Sequence, residues 1–171
     1  RYQYARDDRH RLTSFSMSKT ITAIAGGLAV RDGAIRSVDD SAETYVPELA
    51  GTEFGRTPIR ALLQMASGIR FDENYADNSS DIYRLALRSL GPQGDVLAAV
   101  KQFDKREAAP GQRFNYSSAD TLVLGLVLTG ALKRPLVEYL AEQLWAPLGA
   151  EADARWVVDG KGQEVTFAYF N

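Results

Sequence analysis

Ser16 and Lys19 stand three residues apart in the run Ser16-Met17-Ser18-Lys19, at the head of a stretch with helical periodicity. On a helix that begins near Ser16, the hydroxyl and the amine share one face. A serine hydroxyl is a poor nucleophile until a base takes its proton, and a lysine one turn along supplies that base when its amine is neutral. Neutrality requires burial or a neighbouring cation to lower the amine pKa. Backbone N–H groups at the helix start then stand ready for an oxyanion on an acylated serine. The competing reading is a helix-capping Ser16 with a solvated Lys19, and this content of serine and lysine yields about 0.3 such pairs by chance. The pair needs support from the rest of the chain.

Composition removes most other chemistry. There are no cysteines, so disulfides, thiolate catalysis and cysteine-based zinc sites are excluded. His10 is the only histidine, which rules out a histidine-rich metal site and leaves a Ser-His-Asp triad one candidate base. It lies in the charged run from Arg6 to Arg11, a sequence that reads as a solvated turn. No G-x-S-x-G elbow, phosphate-cradling loop or GxGxxG occurs. A net charge of −2 with mixed signs offers no basic face for nucleic acid. No apolar run approaches the length of a membrane span; the richest, residues 121–132, is short and holds Gly125 and Gly130. No cofactor and no metal are implied, and lysine-assisted serine chemistry is the main catalytic option left.

The 171 residues suit one domain with a sizeable core. Residues 2–4 and 11–15 read as short strands around Asp7-Asp8. A first helix runs from residue 16 to about 31, with Ile21, Ile24 and Leu28 as its buried stripe and Asp32-Gly33 as its stop. Residues 34–56 are mostly loop, anchored by Val46-Pro47-Glu48-Leu49. Thr57-Pro58 starts a helix that stops at Ser67-Gly68. After the polar loop 69–78, Ser79 or Ser80 caps a helix to about Leu90. Another follows over residues 95–103. Ser117 or Ser118 opens a strongly apolar helix to about Lys133, and Pro135 opens one more through Trp145. Residues 156–158 and 165–170 flank Asp159-Gly160-Lys161-Gly162 as a hairpin. The fold class is therefore α+β, a mainly helical lobe with flanking antiparallel strands.

The chain starts at Arg1, with no initiator methionine and no signal-peptide pattern, and the apolar run 165–170 reads as a strand lacking its partner. The expectation is a segment of a longer protein, with localisation and oligomeric state undetermined.

A second constellation is Phe114-Asn115-Tyr116-Ser117-Ser118, between the turn Pro110-Gly111 and the apolar helix. A tyrosine held by such a turn aims its hydroxyl into a cleft, and beside an ammonium it could exchange protons during acyl transfer. The alternative is a tyrosine packed beside Phe114.

With both motifs in view, the chain resembles the penicillin-recognising serine hydrolases, which include class C β-lactamases, D-alanyl-D-alanine carboxypeptidases and related esterases. The resemblance rests on residues 15–20 and, about a hundred residues later, on residues 110–118. Between them, residues 59–68 look like the family's helix after the first loop, and residues 144–149 resemble a helix end typical of it. Order and spacing match over essentially the whole chain. Residues 71–75, then Asp77 and Ser79-Ser80-Asp81, are similar to the substrate loop of the 6-aminohexanoate-dimer hydrolase and carboxylesterase branch, as are residues 152–160 leading into Glu164.

The resemblance implies a fragment of the serine β-lactamase/DD-peptidase fold. Residues 1–171 would form one partial domain, with the helical lobe at about 16–150, strand pieces at about 1–15 and 155–171, and the remainder beyond 171. It implies Ser16 as the acylated nucleophile, Lys19 as its proton acceptor and Tyr116 as the partner acid and base. Tyr75 matches a substrate-contacting tyrosine; a loop aromatic that closes the lobe is the alternative. Ser118 occupies the place where many family members carry a substrate-binding asparagine. Its shorter group favours esters or small linear amides as the small-molecule partner over β-lactams. The family's later Lys-Thr-Gly-like or His-x-Gly-like strand, which supplies the second oxyanion donor, has no counterpart after Tyr116. β-Lactamase or D-alanyl-D-alanine carboxypeptidase activity, and a non-catalytic ligand-binding module, are the rival readings.

Overall fold

Residues 118–128 carry a single charged side chain, Asp120, and so leave no face of a helix to solvent. In the computed structural model, which describes residues 10–171, this segment is the axis of the molecule. The helices are α1 (Ser18–Arg31), α2 (Ile59–Leu63), α3 (Asp81–Ser89), α4 (Val96–Val100), α5 (Ser118–Leu132) and α6 (Leu136–Leu140). All of residues 118–128 in α5 are buried, and α1, α2, α3, α4 and α6 each pack against it. Ser117 caps α5 by accepting from the Asp120 N–H at 3.2 Å, and Lys133 ends it at φ +55°.

Several helix expectations hold in shortened form. The helix expected over residues 95–103 is α4, and Asp95 caps it by accepting from the Ala98 N–H at 2.9 Å. The helix opened by Thr57-Pro58 ends at Leu63 rather than at Ser67-Gly68, because Met65 enters the left-handed region at φ +51°. The helix opened by Pro135 changes to a π turn over Ala141–Trp145. Ser80 takes the N-cap place of α3, yet its buried hydroxyl makes no capping bond. In the 34–56 segment, Val46 and Leu49 are buried as the anchoring patch expected of them.

Two expectations are corrected. The buried stripe of α1 is Ser18, Lys19, Thr22, Ala25, Gly26 and Ala29. Ile24 is 39% exposed, and Ile21 and Leu28 are only partly buried. Small side chains face α5 because the two helices and the segment 165–167 crowd together there; larger ones would hold them apart. The flanking strands are not formed either. Residues 2–4 lie outside the described residues, and 11–14 have no regular structure. The C-terminal arms make the isolated antiparallel bridges Trp156–Phe170 and Val158–Glu164 and a few backbone bonds beside them, such as the reciprocal pair between Arg155 and Asn171, but no continuous strand. The second arm turns at residues 165–168, where the Ala168 N–H bonds the Val165 carbonyl at 3.3 Å, so no continuous ladder can form. The described residues are a helical lobe with bridged loops. Among them, no helix is long and apolar enough to cross a membrane.

That turn is wedged into the core. The Thr166 hydroxyl donates to the Thr121 carbonyl at 2.9 Å, and its carbonyl accepts from the Thr22 hydroxyl at 3.0 Å and from the Ser18 hydroxyl at 3.4 Å. Gly125 makes the wedge possible: a Cβ there would lie 2.3 Å from Thr166 Oγ1. Gly125→Ala should therefore lower stability by about 1–3 kcal/mol, the usual penalty for overpacking a filled core, read as a lower urea midpoint at unchanged slope. An unchanged midpoint would mean that the wedge yields freely.

Candidate active site

The chain reaches Ser16 through a strained residue. Phe15 lies at φ +46°, a region that bulky side chains rarely occupy, and its ring tilts against Tyr169 at 6.5 Å between centroids. The Ser14 N–H donates to the Phe170 carbonyl at 3.0 Å, which fixes the approach. Phe15–Met17 then form a 3₁₀ turn leading into α1. In a 3₁₀ turn, residues i and i+3 eclipse, and this sets Ser16 against Lys19 more directly than an α-helix would. The turn already engages the N–H groups of Met17 and Ser18, which removes both from the oxyanion donors expected at the helix start.

Lys19 Nζ donates to Ser16 Oγ at 3.0 Å and to the Phe167 carbonyl at 2.8 Å. The side chain is only 8% exposed. Burial pulls its pKa from 10.5 down to about 8, against the opposing pull of the Glu73 carboxylate. The Tyr116 ring lies 5.3 Å from Nζ and the Phe167 ring 5.5 Å, both within cation–π range.

Tyr116 is delivered by its neighbour. The Asn115 N–H donates to the Met65 carbonyl at 2.8 Å and its side-chain amide to the Phe71 carbonyl at 3.1 Å. The run 113–116 is thereby stitched to the turn at residues 65–71. That turn is itself braced: Ser67 donates to the buried Asp120 carboxylate through Oγ at 2.8 Å, and the Arg106 guanidinium bonds the Ser67 carbonyl and, at 2.9 Å, the Thr57 hydroxyl. Burial raises the Asp120 pKa to about 7. Gly68, at φ +76°, admits the Ala108 carbonyl to within 2.0 Å of where a Cβ would stand, so only glycine fits there.

The other two residues picked from the sequence are placed differently from each other. The exposed Tyr75 donates its hydroxyl to Glu73 Oε1 at 2.6 Å, and both Ser16 and Tyr116 act on its phenol. Burial of the hydroxyl end and the Glu73 bond raise its pKa. Ser118 is fully buried, and it donates to Glu73 through Oγ at 2.5 Å and through its N–H at 2.8 Å. Ser118 therefore meets the site through Glu73 rather than at an open surface. Ser16, Lys19, Tyr116 and Tyr75 converge, with Ser118 beneath them. Nothing in the sequence pattern marked Glu73 or the Phe167 carbonyl; the only trace of Glu73 was its place in the 71–75 loop.

An apolar groove of about 250 Å³ lies beside Lys19, lined by Thr20, Ala23, Leu62, Leu63, Met65, Thr121 and Leu124. A second apolar cleft of about 320 Å³, between Ile21, Leu140, Trp145, Trp156 and Phe170, shares no residue with the Ser16–Lys19–Tyr116 cluster. Among the described residues no group of three or more Asp, Glu or His side chains is placed to hold a metal ion.

The Lys19 amine should titrate near pH 8, detectable by NMR of the lysine side chains, where a solvated lysine titrates near 10.5. Its folded pKa lies below its unfolded one, so between pH 8 and 10.5 the unfolded chain binds more protons. Stability should rise with pH across that window, and the rise should be absent from Lys19→Met, by urea midpoints of the two proteins compared at each pH.

Residues 3–166 match the family model described as Beta-lactamase. A 6-aminohexanoate-dimer hydrolase of Paenarthrobacter ureafaciens is 32% identical over 164 residues, covering 93% of this chain and 41% of that protein. A solved structure of a Bacillus anthracis protein assigned as a 6-aminohexanoate-dimer hydrolase superposes with a TM-score of 0.88 at 23% identity, over 100% of this chain and 46% of the other. EstCE1, a hydrolase with promiscuous acyltransferase activity, superposes at 0.61 with 26% identity, over 83% of this chain and 38% of its own. The chain spans under half the length of each of these relatives. With a family model matched over nearly its whole length, the chain belongs to the beta-lactamase family.

Proposed function

We propose that this chain carries the nucleophile, base and proton partner of a serine hydrolase that cleaves esters or small linear amides through an acyl-enzyme on Ser16. One observation carries the reading: a desolvated lysine whose amine sits 3.0 Å from a serine hydroxyl at a strained turn. A surface lysine beside a capping serine would be solvated, and its amine would hold its proton until near pH 10.5.

In the proposed reaction the neutral Lys19 amine takes the Ser16 proton as Oγ forms its bond to the substrate carbonyl carbon. The carbonyl electrons move to oxygen, where the Ser16 N–H meets the oxyanion. Collapse breaks the bond to the leaving alkoxide or amine, which is protonated from Lys19 by way of Tyr116, its ring already against the ammonium. Water then attacks the acyl ester, Lys19 and Tyr116 take up its proton, and the carboxylic acid leaves with Ser16 restored. Tyr75, on the exposed rim, contacts substrate. The 6-aminohexanoate-dimer hydrolase relative supports a linear amide as one substrate class, and EstCE1, a hydrolase with acyltransferase activity, supports acyl-transfer chemistry.

The test is the intact mass of the protein after brief exposure to p-nitrophenyl butyrate or a fluorophosphonate, followed by peptide mapping. The expected result is one adduct on Ser16, absent from Ser16→Ala and slowed in Lys19→Ala on the order of 10²–10⁴-fold, the usual loss for a general base. Labelling should rise with pH through a midpoint near 8 as the amine loses its proton. A folded protein that takes no label would sink the hydrolase reading in favour of a binding module.

A further inference from the structure

We propose that Glu73 is a positioning residue of this site: its carboxylate holds the Tyr75 phenol beside Ser16 and supplies the negative charge that faces Lys19. The proposal rests on the hydrolase reading above and adds to it a residue which neither the motifs nor the family match assigns.

The outer part of the loop between α2 and α3, residues 72–79, has little reason of its own to approach the site. Asp72 and residues 74–79 are all exposed, and most of their hydrogen bonds are short-range Asx-type turns, such as Asn74 N–H to Asp72 at 3.1 Å and Ala76 N–H to Asn74 at 3.0 Å. Glu73 is the half-buried exception. Its Oε1 accepts from the Tyr75 hydroxyl at 2.6 Å and the Ser118 hydroxyl at 2.5 Å, and its Oε2 accepts from the Ser118 N–H at 2.8 Å. The last bond places the carboxylate at the first residue of α5, where the helix dipole favours an anion.

An anchor between a loop and a helix would need only the two Ser118 bonds. The third bond turns the phenol inward to the nucleophile, and the charge reaches Lys19 as well. The groups around Lys19 Nζ are few. Among the described residues, its own turn contributes Ser16, the 113–116 run contributes the Tyr116 ring, and the C-terminal segment contributes the uncharged Phe167 carbonyl and ring, while Thr121 of α5 lines the groove beside its side chain. Asp120, the one acid of α5, gives its carboxylate to Ser67. Glu73 is therefore the anion that balances the ammonium. It works against desolvation and keeps the amine from losing its proton too readily, so that after accepting the Ser16 proton Lys19 can hold it until the leaving group needs it.

The experiment measures the Ser16 acylation rate by p-nitrophenyl butyrate against pH and ester concentration, in the intact wild-type protein and in Glu73→Gln, Glu73→Asp and Tyr75→Phe. Glutamine keeps an acceptor for the Ser118 N–H but removes the charge. The acid limb of its profile should move down by about half a pH unit or more, as expected when an opposite charge leaves a lysine. Its kcat/KM at pH 9 should fall about tenfold through loss of the Tyr75 hold. Tyr75→Phe should reproduce that fall with the acid limb unmoved, and the double variant should fall no further than Glu73→Gln. Glu73→Asp keeps the charge on a shorter arm; it should retain the wild-type limb at a reduced rate, and it serves as the folded control if the glutamine variant melts early. An unmoved acid limb in Glu73→Gln, or effects of the Glu73 and Tyr75 variants that simply multiply, would overturn the proposal while leaving the hydrolase reading intact. A wild-type protein that is not acylated at all would sink that reading first.

Discussion

A lysine ammonium held almost out of water between a serine hydroxyl and one backbone carbonyl is the constraint on which this structure turns. An isolated buried ammonium is costly, and the protein meets that cost in three ways at once. Two acceptors, Ser16 Oγ and the Phe167 carbonyl, take two of its three protons. Two aromatic faces cover it. One carboxylate, Glu73, faces it across the site. Each compensation is incomplete, and the incompleteness leaves the amine near pH 8 rather than at 10.5. A fully paired lysine would stay charged and could not act as a base.

The fold supplies the dry setting through α5. Because that helix is buried over three turns, everything that packs on it is drawn toward one line, including α1 with Lys19 and the wedge at residues 165–168. Close approach requires small side chains, and Gly125, where a Cβ would run into Thr166, and the buried Ala25 and Ala29 supply them. The same closeness puts the Phe167 carbonyl on Lys19 from 148 residues away in sequence. The lysine environment therefore depends on long-range closure of the chain and is not a property of the local motif.

This explains what the sequence showed and what it withheld. Ser16, Lys19 and Tyr116, which the fold brings together, could be picked out because the chemistry proposed for them needs particular residue types at particular spacings. The α5 helix was legible because eleven successive buried positions leave an unmistakable apolar run. The stripe of α1 was misjudged: periodicity favoured Ile21, Ile24 and Leu28, but tight packing selects small residues, and those carry no hydropathy signal. The hairpin failed for a related reason, since Thr166 and Phe167 have strand propensity, yet they serve as a wedge and a lysine clamp. Ser118 looked like a substrate contact by position alone, and the carboxylate that occupies it comes from 45 residues earlier. A backbone carbonyl such as that of Phe167 has no letter in the sequence at all.

Strain at Phe15 fits the same logic. A 3₁₀ turn eclipses Ser16 and Lys19, but the chain can enter that turn from the Ser14–Phe170 contact only by twisting sharply at the residue between them. Such a left-handed backbone at a large aromatic residue costs on the order of 1–3 kcal/mol and persists only where surrounding contacts hold it. Here the holding contacts are the Ser14 N–H on the Phe170 carbonyl and the Phe15 ring on Tyr169, both in the segment that also presents Phe167 to Lys19. One segment therefore bends Ser16 into place and clamps Lys19. A change that loosened residues 167–170 would release the strain at Phe15 and rehydrate Lys19 together, so the position of the Ser16 hydroxyl and the basicity of the Lys19 amine are physically coupled.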